Sequence, residues 1–154
     1  ALSCDINPLI SCGTFLGTWQ ASLFGFPNMY LGLAGYAVMG AAGSLLVSNA
    51  KLPRWFMWAV FGGLVFAFAF VHWLAFNALF DIRALCPWCL VAWVGTAPMF
   101  FVVLAHLVEE GFLKVGGAVR RIFRAWIPLT LAWYVLVVAA ITVVFLPQWS
   151  AMLS

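Results

Sequence analysis

From Trp55 to Phe80 the chain reads WFMWAVFGGLVFAFAFVHWLAFNALF, without one formal charge. A helix needs about 20 apolar residues to cross ~30 Å of hydrocarbon, so this run is long enough for one crossing. Three further stretches lack Asp, Glu, Lys and Arg: Ile6 to Ala50, Ala84 to Val108 and Ala125 to Ser154. Of 154 residues, 67% are apolar and 7% charged, against roughly a quarter charged in an average soluble domain. So little charge excludes both a water-soluble globule and a disordered chain. Seven Lys and Arg cannot form a broad basic face, so nucleic acid is excluded as a partner. The expectation is an all-α integral membrane protein, a transmembrane helix bundle with lipid around it.

The last three stretches each hold one span, and the first holds one in its second half only. Its first half carries Asn7-Pro8, Ser11, Gly13, Thr14, Gly17, Thr18, Gln20 and Gly25-Phe26-Pro27-Asn28, which are turn formers and caps. This predicts a loop, with spans at Met29–Ser48, Trp55–Phe80, Pro87–His106 and Trp126–Leu146. Long uniform runs argue for helices, because barrel strands would alternate in short segments. The organisation expected is a cysteine-bearing outer loop over 1–28 and three spans over 29–108. A linker over 109–125 follows, then a fourth span and outer tail over 126–154.

The cations orient these spans. Lys51 and Arg54 lie between spans one and two; Lys114, Arg120, Arg121 and Arg124 lie between spans three and four; Arg83 stands apart. The positive-inside rule makes the first two groups cytoplasmic, so the N-terminal loop, the Asp81–Leu85 link and the C-terminus face outward. The segment from Glu110 to Arg124 mixes apolar and basic residues, reading either as a short interfacial helix or as a plain basic connector. No secretory signal is visible, since Ala1–Ser3 is too short to be one.

Four cysteines carry the chemistry: Cys4 and Cys12 in the loop, and Cys86 and Cys89 in Cys86-Pro87-Trp88-Cys89 where the third span begins. This topology puts all four on the outer side, where disulfides persist. A helix N-terminus offers free N–H groups and partial positive charge, and both stabilise a thiolate on the first cysteine. The second cysteine, three residues on, shares its face and can resolve what the first attacks. Pro87 suits the first helical turn, where a missing N–H costs nothing. The spacing alone leaves other readings open: two permanent structural disulfides, a Cys4 metal set or buried apolar fillers. No histidine lies near the cysteines, which disfavours metal; His72 falls mid-span and His106 near the inner side.

The run from Cys4 to Cys12, Cys4-Asp5-Ile6-Asn7-Pro8-Leu9-Ile10-Ser11-Cys12, resembles the cysteine loop of bacterial homologues of vitamin K epoxide reductase. The resemblance continues through Thr18, six residues after Cys12, through Phe24-Gly25-Phe26-Pro27-Asn28, and into Cys86-Pro87-Trp88-Cys89. It implies a four-helix bundle around a non-covalently bound quinone, menaquinone or ubiquinone, with an extra helix in many bacterial members. It implies a membrane thiol oxidase that reoxidises an extracytoplasmic thioredoxin-like (DsbA-type) protein and so drives disulfide formation outside the cytoplasm of a bacterial cell. Carried over by position, Cys4 exchanges with the partner, Cys12 relays electrons to Cys86, and Cys89 faces the quinone. Asn28 matches the asparagine that hydrogen-bonds a quinone carbonyl, and Thr18 the hydroxyl residue that orders the site.

This sequence departs from that pattern in two places. The family has a span before the cysteine loop, whereas here Cys4 follows only three residues; a further transmembrane helix, upstream or on another chain, is expected against the bundle. Vertebrate members place Tyr four residues after the second cysteine of the pair; here that residue is Trp93, which offers an N–H but no hydroxyl. Disulfide bond protein B, another quinone-linked oxidase, also has two cysteine pairs, but in the reverse order along the chain. A structural or assembly subunit with permanent disulfides is the rival of a different class.

The remaining polar residues carry smaller expectations. His72 and Asn77 lie inside span two, and an intramembrane polar group is a functional candidate by default; Asn77, nearer the cysteine level, is expected at the quinone headgroup. Trp88 and Trp93 are expected to line its pocket. Arg83 is placed to act on Cys86 or to anchor the interface, and Asp5 to orient the loop. Trp55, Trp58, Trp126 and Trp149 read as an aromatic belt. Gly32, Gly35, Gly40 and Gly43, with Gly62-Gly63, permit close helix packing.

Overall fold

The computed structural model describes residues 10–48 and 50–153, with side chains described through residue 147. Cys4, Asp5 and the side chain of Trp149 therefore lie outside the described residues. Among the described residues, four helices are long and apolar enough to span a membrane. They are α2 (Met29–Val47), α3 (Arg54–Asn77, prolonged by the π-helical turn Ala78–Ile82), α4 (Pro87–Glu109) and α6 (Trp126–Leu153). Two short helices, α1 (Cys12–Leu16) and α5 (Gly117–Arg124), lie at opposite ends of the bundle.

The N-terminal stretch, expected to be a loop, is partly helical: α1 is followed by a 3-10 turn over Trp19–Ser22. Two of the residues read as turn formers and caps bond α1 directly. Ser11 accepts a hydrogen bond from the Thr14 backbone at 3.2 Å, a standard N-cap, and the Thr18 hydroxyl donates to the Phe15 carbonyl at 2.7 Å. One or two turns of helix are too short to show an apolar period. Between α4 and α6 the chain is helical only over Gly117–Arg124. Gly111, at φ 72, ends α4 in the left-handed conformation that glycine adopts without strain, and Phe112 N–H donates back to the Leu107 carbonyl at 2.9 Å.

The helices α3 and α4 pack antiparallel. Near one end Met57, Val60 and Leu64 meet Val103 and Leu107, with Ala42 of α2 joining them. Midway, Phe68 stacks on Phe100 at 4.5 Å. At the other end Ala78 meets Cys86, and fully buried Phe145 of α6 closes over Leu79 and Leu85. The basic loops gather at the first end, where Arg54 lies 5.0 Å over the Phe112 ring and Arg124 pairs with Glu109 at 2.8 Å. That ion pair is exposed and contributes little stability.

A polar tether holds α2. The Tyr36 hydroxyl donates to the Ala92 carbonyl at 2.6 Å and sits 3.0 Å from Thr96 Oγ1. Gly95 makes room: a Cβ there would stand 3.3 Å from that hydroxyl. The other glycine face of α2 does not pack in this way. A Cβ added at Gly32, Gly35, Gly40 or Gly43 would meet nothing within 4 Å.

Pro98 interrupts α4. Proline has no N–H, so the Val94 carbonyl loses its helical donor, and hydrocarbon supplies no replacement. The Tyr134 hydroxyl of α6 donates to that carbonyl at 2.8 Å. One sequence defect thus creates a docking point for the next helix. Tyr134→Phe should destabilise the protein by roughly 0.6–1.7 kcal/mol, the range for interhelical bonds in membranes. In a Pro98→Ala background, where the backbone donor is restored, the same change should be nearly silent. Unfolding of the four variants in detergent or lipid gives the coupling; equal losses in both backgrounds would show that the bond does not answer the proline.

Candidate functional site

Two local structures bring the cysteines together. Cys86 is the N-cap of α4, in extended conformation, and Pro87 takes the first helical position. Cys12 opens α1 directly after its cap, Ser11. A short parallel bridge between Ile10 and Leu85 aligns the two helix starts, and Ser11 N–H donates to the Leu85 carbonyl at 3.2 Å. The chain reaches Leu85 by reversing sharply at Arg83, which adopts the left-handed conformation at φ 54. Non-glycine residues pay roughly 1–2 kcal/mol for that conformation.

The outcome is a sulfur–sulfur contact across 74 positions of sequence: Cys86 Sγ donates to Cys12 Sγ at 3.4 Å. Cys12 is disulfide-bonded, whereas Cys86 and Cys89 are in the thiol form. Cys89, three residues on, packs against the same cluster. A thiol lying 3.4 Å from a disulfide sulfur is at near-attack distance, and thiol–disulfide exchange proceeds by such an attack. Cys12 and Cys86 are 1% and 4% exposed, and Phe15, Ala21, Ala78, Leu74 and Ile82 surround them. This shell excludes water from the sulfurs.

The segment over the cysteines is pinned from several sides. Trp19 meets Trp73 edge-on at 6.1 Å, and Phe24 meets Phe70 at 5.7 Å. Gln20 Nε2 donates to Asp81 Oδ2 at 3.1 Å, tying the 3-10 turn to the π-helical turn. Asn28 closes the return: its Nδ2 donates to the Gln20 carbonyl at 2.6 Å, and its backbone N–H to the Ala21 carbonyl at 2.8 Å. Gly25, at φ 81, permits the intervening turn. Three buried side-chain atoms near the cysteines have no hydrogen-bond partner: Gln20 Oε1, Asn28 Oδ1 and Trp93 Nε1. Such atoms are uncommon in native interiors and call for a ligand or water.

The residues singled out from the sequence divide. Cys12, Cys86 and Cys89 converge, and Thr18 and Asn28 brace the turn beside them. Trp93, one turn beyond Cys89, is 6% exposed and meets His72 and Trp133 edge-on at 5.6 and 5.5 Å. A cleft of about 310 Å³ opens here, lined among others by His72, Trp93, Trp133 and Leu136. Asn77 is half-buried and donates back to the Trp73 carbonyl of its own helix at 2.7 Å. Trp88 is 71% exposed and lines no pocket with them. His72 is satisfied: Nδ1 pairs with the Phe68 carbonyl at 2.6 Å, and Trp133 Nε1 donates to Nε2 at 3.0 Å.

Gln20 and Asp81 escaped the sequence reading. Gln20 was hidden among turn formers, and Asp81 stood in a short polar link. Only its apolar neighbours Trp19 and Ala21 hinted that Gln20 is buried.

A family model described as the Vitamin K epoxide reductase family matches residues 1–104. Searches of curated proteins and of solved structures each returned no significant match. The matched segment holds all four cysteines and runs into the last turns of α4, leaving α5 and α6 outside it. With two cysteine pairs in that segment and a thiol set against a disulfide at the end of a helix bundle, the chain belongs to the vitamin K epoxide reductase family, the membrane thiol oxidoreductases.

Proposed function

We propose that this protein is a quinone-dependent thiol oxidase that reoxidises a thioredoxin-like (DsbA-type) protein outside the cytoplasm and so drives disulfide formation there. The observation that carries the reading is the 3.4 Å contact between Cys12 and Cys86. The contact joins the loop cysteine to the Cys86-Pro87-Trp88-Cys89 pair across 74 positions of sequence, as a relay between two pairs requires, and this supports electron transfer over two separate structural bridges. The family as a whole is linked to quinones and vitamin K and works with thioredoxin-like partners, which supports the choice of donor and acceptor.

In this reading the partner's thiol attacks Cys4, and the reduced loop pair is left as two thiols. Cys12 then attacks Cys86 of a closed Cys86–Cys89 pair and, through exchange, the electron pair comes to rest on Cys86 and Cys89. Two S–H bonds break, one S–S bond forms between these cysteines, and two electrons and two protons pass to the quinone, menaquinone or ubiquinone. The protein's own tasks are to keep water from the sulfurs, hold Cys12 against Cys86, and orient the acceptor near Cys89. Trp93 Nε1, a buried donor without a partner, is suited to a quinone carbonyl. The position that carries tyrosine in vertebrate members would then act through an indole N–H. The cysteine end faces the periplasm of a bacterial inner membrane and the basic loops face the cytoplasm, as the positive-inside rule requires.

Three outcomes test this. Cys12→Ala mixed with reduced partner should accumulate a mixed disulfide at Cys4; peptide mapping that finds the partner on Cys86 would reverse the order of the relay. Trp93→Phe keeps the ring and removes the donor. Steady-state kinetics should show a KM for quinone raised by about tenfold, the effect of one lost buried hydrogen bond; an unchanged KM would remove Trp93 from the acceptor site. Alkaline phosphatase inserted at residues 111–116 should be inactive in cells and active when fused after residue 154. The opposite pattern would invert the topology.

A further inference from the structure

The end of the bundle away from the cysteines gathers six of the seven cations, with Glu109 and Glu110 as the carboxylates beside them. Leu52 and Leu113 pack against one cluster there, so their neighbours Lys51 and Lys114 share that end. The short helix α5 sorts its residues by chemistry. At about 100° per residue, Arg120, Arg121 and Arg124 fall on one side and Val119, Ile122 and Phe123 on the other. The basic side fastens α5 to α4. Arg120 Nη2 donates to the Glu109 carbonyl at 3.3 Å, and Arg124 pairs with the Glu109 carboxylate at 2.8 Å. Arg121, on the same side, and Lys114 have no ion pair or side-chain hydrogen bond among the described residues. The apolar side is left uncovered by the chain: Val119 is 41% exposed and Ile122 55%.

Single exposed apolar residues are ordinary on a protein surface, but these stand next to a membrane span. Only Ala125 separates α5 from α6, so α5 is held at the level where hydrocarbon gives way to headgroups. A helix with cations on one side and exposed apolar residues on the other lies in that boundary. We propose that α5 is a binding site for anionic phospholipid. Val119 and Ile122 rest on the first acyl carbons, and Arg121 and Lys114 meet the lipid phosphate. The two bonds to Glu109 fix the helix in this pose. A zwitterionic lipid also has a phosphate, but its own cation cancels the charge; an anionic lipid keeps a net negative charge, and the surplus cations favour it. An acidic protein segment would satisfy the cations and leave Val119 and Ile122 in water, so the lipid fits both sides of the helix better.

The test places the full chain in nanodiscs of equal phosphatidylglycerol and phosphatidylcholine and counts, by native mass spectrometry, the lipids retained on the released protein. Phosphatidylglycerol should be retained in preference. One cation near an anionic lipid surface strengthens binding about fivefold. Arg121→Gln should therefore cut the preference by about that factor, and Arg121→Gln combined with Lys114→Gln by more than about tenfold. Arg121→Lys keeps the charge and should keep most of the preference. Thermal unfolding in phosphatidylcholine alone should be the same for all of these variants, because the replaced side chains hold nothing within the chain. Ile122→Ser leaves every cation in place and should still lower the phosphatidylglycerol retained, since the acyl contact is lost. Equal retention of both lipids by the unaltered protein, or a preference that survives the double substitution, would overturn the proposal. Glycerol phosphate that competes as well as the whole lipid would also overturn it, making this a site for free phosphate. Full retention in Ile122→Ser would do the same, leaving the apolar side unused and a soluble acidic partner as the better occupant.

Discussion

A backbone polar group in hydrocarbon has no water to turn to, and the architecture of this protein follows from that constraint. The apolar runs become helices because a helix satisfies its own N–H and C=O groups. Where the helix cannot do so, another part of the chain must. Pro98 frees the Val94 carbonyl, and Tyr134 supplies the missing donor from α6. Side chains obey the same rule. His72 is bonded at both ring nitrogens, and the Tyr36 hydroxyl finds the Ala92 carbonyl. Each of these bonds joins a side chain to a backbone or ring atom that hydrocarbon would leave bare, and three of them also lock one helix onto another.

Against that background of satisfied groups, the few unsatisfied atoms stand out. Among the described residues they are Gln20 Oε1, Asn28 Oδ1 and Trp93 Nε1, all at the cysteine end. An interior that meets its hydrogen bonds elsewhere leaves them open at the place where chemistry is expected. The sulfurs are treated in the opposite way: they are enclosed by apolar side chains and given only each other. A thiol and a disulfide in contact within an apolar shell can exchange with one another.

The contact between Cys12 and Cys86 depends on where the segment from Ile10 to Asn28 lies. Cys12 meets Cys86 because the Ile10–Leu85 bridge aligns two helix starts. The segment stays in place because Trp19, Gln20 and Phe24 each grip α3 or its final turn. The Asn28 amide then closes the return into α2. None of these contacts is strong alone. Together they set a sulfur–sulfur distance, and exchange rates depend steeply on such positioning.

Much of this was legible in the sequence, and the rest was not, for a definite reason. Span number follows from the length of charge-free runs, which is a local property set by bilayer thickness. Family membership was written in ordered short motifs, Cys4 to Cys12, Phe24 to Asn28 and Cys86 to Cys89. Which faces meet was not written there. The spans are apolar all round, and a helix without an amphipathic stripe does not announce which side turns inward. Asn77 was therefore expected at the acceptor site and bonds a carbonyl of its own helix, and Trp88 was expected in a pocket and is exposed. Gln20 looked like part of a turn and is buried. Residues such as Gln20 and Asp81, or His72 and Trp133, stand 61 positions apart, and no periodicity connects them. Local chemistry decided what each segment could become; the packing of featureless apolar faces, resolved by a handful of hydrogen bonds, decided which residues would share a site.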